Sequence, residues 1–100
     1  MKPIRFHPYL QRDIDDALNK YNSISEGLGD RFWNEFCFAI HDIQRMPEKH
    51  HVDQFTGYRR YNMDRFPYNI LYILYPDRIR IQVIRHNKRR ESFGAYRKRL

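Results

Sequence analysis

Three arginines, a histidine and a tyrosine in the second half of the chain are of the right types to handle a phosphodiester. Arg60, Arg65 and Arg85 can hold phosphate, His86 can take or give a proton near neutral pH, and Tyr96 can stack on a base or supply a proton. Metal-free RNA cleavage asks for such parts: a group to take the 2′-hydroxyl proton, cations to hold the phosphorane charge, and an acid for the leaving oxygen. A second set, Arg59, Arg60, Arg80, Lys88, Arg89 and Arg90, suits an acidic or phosphate-bearing target, because Lys and Arg attract anions at long range and displace condensed counterions from nucleic acid. No metal or cofactor is expected. His50 and His51 are adjacent in a loop, with no Cys or carboxylate at ligand spacing.

Each candidate has a plain structural reading beside the chemical one. His86 at a strand end can simply bond a neighbouring loop, Arg65 can cap a turn, and Arg59 and Arg60 can be edge-strand charges that discourage sheet-to-sheet pairing. Tyr58, Tyr61, Tyr68, Tyr72 and Tyr75 follow strand positions, where aromatic residues more often pack than stack on bases.

The charge balance shows where an anionic partner would act. The net charge is +7, but residues 1–57 carry seven Lys/Arg against nine Asp/Glu, residues 58–84 five against two, and residues 85–100 seven against one. The excess therefore lies in the second half, as either a working surface or a solvated basic tail. One hundred residues suffice for one domain, 1–100, and are too few for two cores. The longest apolar run, Ile70 to Tyr75, falls far short of the roughly 20 residues of a membrane span. The N-terminus lacks a secretory apolar segment, so a cytoplasmic protein is expected, with no membrane partner. Cys37 stands alone among Phe36, Phe38 and Ala39 and reads as a small buried hydrophobe.

The elements that must position these residues follow from periodicity. Lys2 to His7 alternates as a short strand, and Pro8 suits the first turn of a helix whose stripe is Leu10, Ile14, Ala17, Leu18 and Tyr21. Ser23 to Gly29 is a turn. A second helix spans about Asp30 to Met46, with Phe32, Phe36, Ala39, Ile40 and Ile43 inward. After the polar loop Pro47 to Gly57 come a strand at Tyr58 to Met63, a two-sided apolar strand at Phe66 to Tyr75, a turn at Tyr75 to Arg78, and an alternating strand from Ile79. The order predicts an α+β domain, βααβββ, with a helical hairpin on one face of an antiparallel sheet and the other face free for solvent or a ligand. Simple alternation puts Arg80, Gln82, Ile84 and His86 on that free face with Arg60. Arg85 then points the other way unless the strand bulges. Glu91 to Leu100 is a candidate for a short last helix.

Three segments in this order resemble the RelE/ParE toxin superfamily: Gly27-Leu28-Gly29-Asp30-Arg31-Phe32; Tyr58-Arg59-Arg60-Tyr61 followed by Arg65-Phe66-Pro67-Tyr68-Asn69-Ile70-Leu71-Tyr72; and Ile84-Arg85-His86 followed by Arg89-Arg90. Phe6-His7-Pro8 is similar to the family's aromatic-Ser-Pro start, with His for Ser, a change expected to weaken the helix cap. The resemblance spans residues 4 to about 90. It implies a toxin held by a cognate antitoxin in a hetero-oligomer, and two possible activities. RelE-like members cut ribosome-bound mRNA with basic residues and a His or Tyr near the end of the last strand; ParE-like members block DNA gyrase. The Gly-Leu-Gly opening and the Arg-Phe-Pro-Tyr strand start look more like the ParE branch, so the expected function is a gyrase-blocking toxin; whether the chain is an enzyme stays open, no if ParE-like and an endoribonuclease if RelE-like. The alternatives are an endoribonuclease, with His86, Arg60, Arg65, Arg85 and Tyr96 as its site, and a basic binding module on the same scaffold without toxicity.

Overall fold

The computed structural model describes residues 1–99; Leu100 lies outside the described residues. The chain runs β1 (Ile4–Phe6), α1 (Leu10–Ile24), α2 (Leu28–Arg45), β2 (Arg59–Asn62), β3 (Tyr68–Leu74) and β4 (Ile79–His86), the βααβββ order expected. The helices form where the apolar spacing puts them. Leu10, Ile14, Ala17 and Tyr21 on α1 face Phe32, Phe36, Ala39 and Ile43 on α2, and all are buried. Gly27 joins the two at φ 81°, a left-handed conformation that glycine adopts without a Cβ penalty. Gly29 approaches α1 so closely that a Cβ would collide with the Asn22 side chain, whose Oδ1 accepts the Gly29 amide at 3.2 Å.

The N-cap of α1, Tyr9, makes no side-chain cap bond, as expected with His in place of Ser. His7 Nδ1 accepts the Tyr9 amide at 3.0 Å and so braces the turn before the helix. Pro8 lies before the helix, which begins two residues later at Leu10.

The four strands form one sheet in the order β1-β4-β3-β2. β2, β3 and β4 are antiparallel neighbours, but β1 lies parallel to β4, with Ile4 opposite Ile79 and Phe6 opposite Ile81. The sheet is therefore mixed, correcting the expectation of an antiparallel one. The helical hairpin between β1 and the later strands is a crossover long enough to return the chain in the parallel sense.

Two features of β4 revise the expected faces. Leu71 pairs with Val83 while Tyr72 pairs with Ile81, so Gln82 is an extra residue, a β-bulge. Up to Ile81 the odd residues face the helices. Beyond the bulge, Gln82 and Val83 both face away, Ile84 returns to the helix side, and Arg85 faces away. Alternation thus placed Ile84 and His86 wrongly, and the bulge that would reverse Arg85 is present.

The second correction concerns the face expected to be free. It is roofed by residues 91–99, a run of turns rather than a helix, with Phe93 packed on buried Tyr58, Leu71 and Val83. Gly94, at φ 79°, lies so close to Val83 that a Cβ would collide with that side chain. Cys37 is exposed on the outer side of α2, not buried as its apolar neighbours suggested.

Candidate functional site

The expected site residues separate into four places. At the helix-side end of β4, His86 sits edge-on to Tyr68, 5.0 Å between ring centres. Its Nδ1 accepts the Lys88 amide at 3.0 Å, which leaves the proton of the neutral ring on Nε2. A cavity of about 370 Å³ opens here, lined by Asp16, Lys20, Tyr68, His86, Lys88 and Arg89. Burial, then Lys20, Lys88 and Arg89, pull the imidazole below its ordinary value, so it is neutral at pH 7. Burial pushes the Tyr68 phenol up to about 12, which makes it a hydrogen-bond donor rather than a base.

On the opposite face of the sheet lies a buried polar network. Arg85 donates to Asn69 Oδ1 at 3.1 Å, to the Glu91 carbonyl at 2.5 Å and to Asp53 Oδ1 at 3.4 Å. Arg60 pairs with the same carboxylate at 3.5 Å, and Asp53 Oδ2 accepts the Thr56 amide and hydroxyl at 3.0 and 2.8 Å. Burial raises the Asp53 carboxyl, but the Thr56 bonds and the two guanidinium groups outweigh it and hold the group below its usual range. Each of these residues is spent on another part of the fold: the network ties the loop before β2 to β3, β4 and the tail. Arg85 is buried and bonded to Asp53, Asn69 and the Glu91 carbonyl. Arg60 and His86, expected to share one face, lie on opposite faces.

Arg59 braces the loop by donating to the Glu48 and His50 carbonyls at 3.2 and 2.7 Å. It lies on β2, an edge strand. Arg65, its side chain 81% exposed, reaches Glu35 at 3.7 Å near the start of β3. Arg89 lies over the Phe93 ring, and Arg90 is exposed. Arg80 and Tyr96 share a separate cleft with His7, Tyr9, Arg97 and Lys98.

Two residues that the sequence did not mark out pin the tail: Asp13, expected on the outward surface of α1 but buried, and Arg97. Asp13, on the buried side of α1, accepts both Arg97 terminal nitrogens at 2.6 and 2.8 Å and the Ile84 amide at 3.1 Å. An acidic residue inside an apolar helix stripe was the available signal, since such a group is almost never buried unpaired. Arg97 offered no signal, because it sits in a cationic run.

The sheet order, the hairpin on one face and the register of β4 define a fold that can be compared with known ones. A solved structure of the chromosomal ParDE TA (toxin–antitoxin) system from P. aeruginosa contains a chain that superposes with a TM-score of 0.73. The two chains share a fold. The match covers 86% of this chain and 96% of that one, at 14% identity. The fold implied by the three motifs is therefore the fold present. No protein-family model and no curated protein matches the sequence.

An apolar groove remains open on the hairpin side. It measures about 320 Å³ and is lined by Phe6, Leu10, Ile14, Trp33 and Phe36, with Phe6 and Trp33 about half exposed. Among the described residues, no helix is long and apolar enough to cross a membrane.

Proposed function

We propose that this chain is the toxin half of a toxin–antitoxin pair and arrests growth by blocking DNA gyrase, without catalysing a reaction of its own. The fold shared with a ParDE chain supports the toxin part of the reading. The observation that carries the mechanism is the scatter of the phosphate-handling residues: Arg60 and Arg85 are bound to Asp53 on one face, while His86 lies with Lys20, Lys88 and Arg89 on the other. A ribonuclease must bring cations and a proton carrier to one phosphate. A blocker needs only a complementary surface, and Lys88, Arg89 and Arg90 offer an exposed cationic one beside the His86 cavity. Within this reading the cognate antitoxin covers the apolar groove at Phe6 and Trp33, since the tail already occupies the second sheet face.

Expression of the chain alone is expected to arrest growth, with rescue by a small neighbouring gene, and the purified protein to inhibit gyrase-dependent supercoiling. Growth without arrest would sink the toxin reading and favour the non-toxic binding module. A second reading keeps one observation in its favour: His86 lines one cavity with Lys20, Lys88 and Arg89, and its Nε2 has no hydrogen-bond partner among the described residues. If ribosome-bound mRNA is cut at fixed codon positions, and His86→Gln abolishes cutting while the fold persists, the nuclease reading replaces the first.

A further inference from the structure

The cleft that gathers Arg80 and Tyr96 has no part in the functional reading above, and its composition points to a ligand. It measures about 390 Å³, within the range of small-molecule sites, and lies between the start of α1 and the tail. Its cations are Arg80, Arg97 and Lys98, and among the described residues no carboxylate lines it.

Arg80 is only 8% exposed, yet among the described residues it has no carboxylate partner. Its Nε donates to Gln82 Oε1 at 2.8 Å, and its two terminal nitrogens have no hydrogen-bond partner among those residues. No fully buried side-chain nitrogen or oxygen lacks a partner among the described residues, so these two terminal nitrogens keep contact with solvent at the cleft, where an anion can reach them. Arg97, beside it, shows the contrast, with both terminal nitrogens on Asp13. His7 repeats the pattern: it is 6% exposed, its Nδ1 is occupied by the Tyr9 amide, and its Nε2 has no partner among the described residues. Two side chains buried over most of their surface therefore keep solvent-accessible, unspent donors, and both line the cleft.

Its rim is aromatic. Tyr9 is half exposed with the Arg97 guanidinium 5.8 Å from its ring centre, and Tyr96 is 89% exposed. Exposed tyrosine rings in a cleft that also holds Arg80 and Lys98 combine the two elements that hold a nucleotide: a π-face for the base and positive charge for the phosphate. Arg80 and Lys98 supply two charges free of Asp13, matching the roughly −1.5 to −2 of a phosphomonoester.

We propose that this cleft binds a nucleoside monophosphate, free or as the phosphorylated end of a single strand, with the phosphate on Arg80 and Lys98 and the base against Tyr9 and Tyr96. The site stands independently of the gyrase reading and requires no cleavage.

The test is titration of the full chain, followed by backbone amide shifts, with AMP, adenosine, inorganic phosphate and a 5′-phosphorylated tetranucleotide. AMP is expected to move the amides of residues 7, 9, 80 and 96–98 and to bind at least tenfold tighter than adenosine or phosphate alone. Tyr96→Ala is expected to weaken AMP about fivefold or more without changing the melting temperature, since its ring is almost wholly in solvent. Lys98→Gln is expected to weaken AMP while leaving adenosine unchanged. Arg80→Gln is expected to abolish the difference between AMP and adenosine, and the two surface variants decide the matter if that chain fails to fold. Equal affinity for AMP and the tetranucleotide identifies the free nucleotide as the ligand; a stronger tetranucleotide identifies the strand end. No shift at millimolar AMP, AMP no tighter than phosphate or adenosine, or shifts insensitive to both Tyr96→Ala and Lys98→Gln would overturn the proposal.

Discussion

The two faces of the sheet are held by different physics. On the helix side, Tyr21, Phe32, Phe66 and Tyr68 pack ring against ring at 4.9 to 6.1 Å, continuous with Ile43, Ile70 and Ile81. That attraction is large, grows with the apolar area removed from water, and gains from the edge-on geometry of the rings. On the tail side, a small apolar patch of Tyr58, Leu71, Val83 and Phe93 is surrounded by Asp53, Asn69, Gln82 and Arg85, all bonded to named partners. Such a layer adds little net stability against an apolar equivalent, but each group becomes costly when its partner is removed. One face makes the domain fold. The other decides how the loop before β2 and the tail are placed on it.

The comparison breaks first if the helix side is not the stronger. Phe32→Ala, at a fully buried ring, is expected to cost about 3–5 kcal/mol by denaturant unfolding, and a loss under about 1 kcal/mol would refute the ranking. Next, Arg85→Ala leaves the Asp53 carboxylate short of a partner and should cost roughly 3 kcal/mol, with part recovered when Asp53→Asn is added. If the double variant is no better than the single, the penalty is not an unpaired charge. Arg97→Ala and Gly94→Ala should each loosen the tail, the former by about 1.5–3 kcal/mol, and hydrogen exchange should rise at residues 91–99 with α2 unaffected. Uniform acceleration across the domain would show that tail and core open together.

Acid should sharpen the contrast further. Burial, with Arg80 and Arg97 nearby, holds the His7 imidazole below its ordinary value of 6.5. The unfolded chain then takes the proton first as the pH drops. The His7 contribution is therefore complete above about pH 6.5 and declines as pH falls toward its folded value. Burial with Lys49 lowers His50 in the same direction. His7→Asn, which keeps an acceptor for the Tyr9 amide, should flatten the stability–pH slope between about pH 6.5 and 5; an unchanged slope would assign it elsewhere. The smallest effect belongs to Arg65→Ala, whose exposed pair with Glu35 should contribute within about 1 kcal/mol.

The helical hairpin was legible because a 3.6-residue stripe survives in sequence even when neighbouring apolar residues blur it. The same blur misplaced Cys37, which follows Phe36 in sequence but points away from it around the helix. β2 and β3 were legible from aromatic and β-branched runs. β4 was legible as an element but not in its facing, because a bulge at Gln82 has no local signature and one extra residue inverts every later side chain. The roof over the second face was hidden for another reason. Its determinants, Asp13 with Arg97 and Tyr58 with the Ala95 carbonyl, join distant residues whose types look like ordinary surface. The candidate site suffered most, since it depended on that facing.

The clasp between Asp13 and Arg97 also imposes an order in time. Its partners are 84 residues apart, and at a synthesis rate of about 5–20 residues per second the carboxylate precedes its guanidinium by roughly 4–17 seconds. During that interval the helical hairpin exists without the strands that cover it, its aromatic stripe exposed. β1 likewise waits for β4, its neighbour in the sheet among the described residues, through the synthesis of both helices, β2 and β3. A co-translational partner with an apolar segment would thus meet the hairpin before the sheet does.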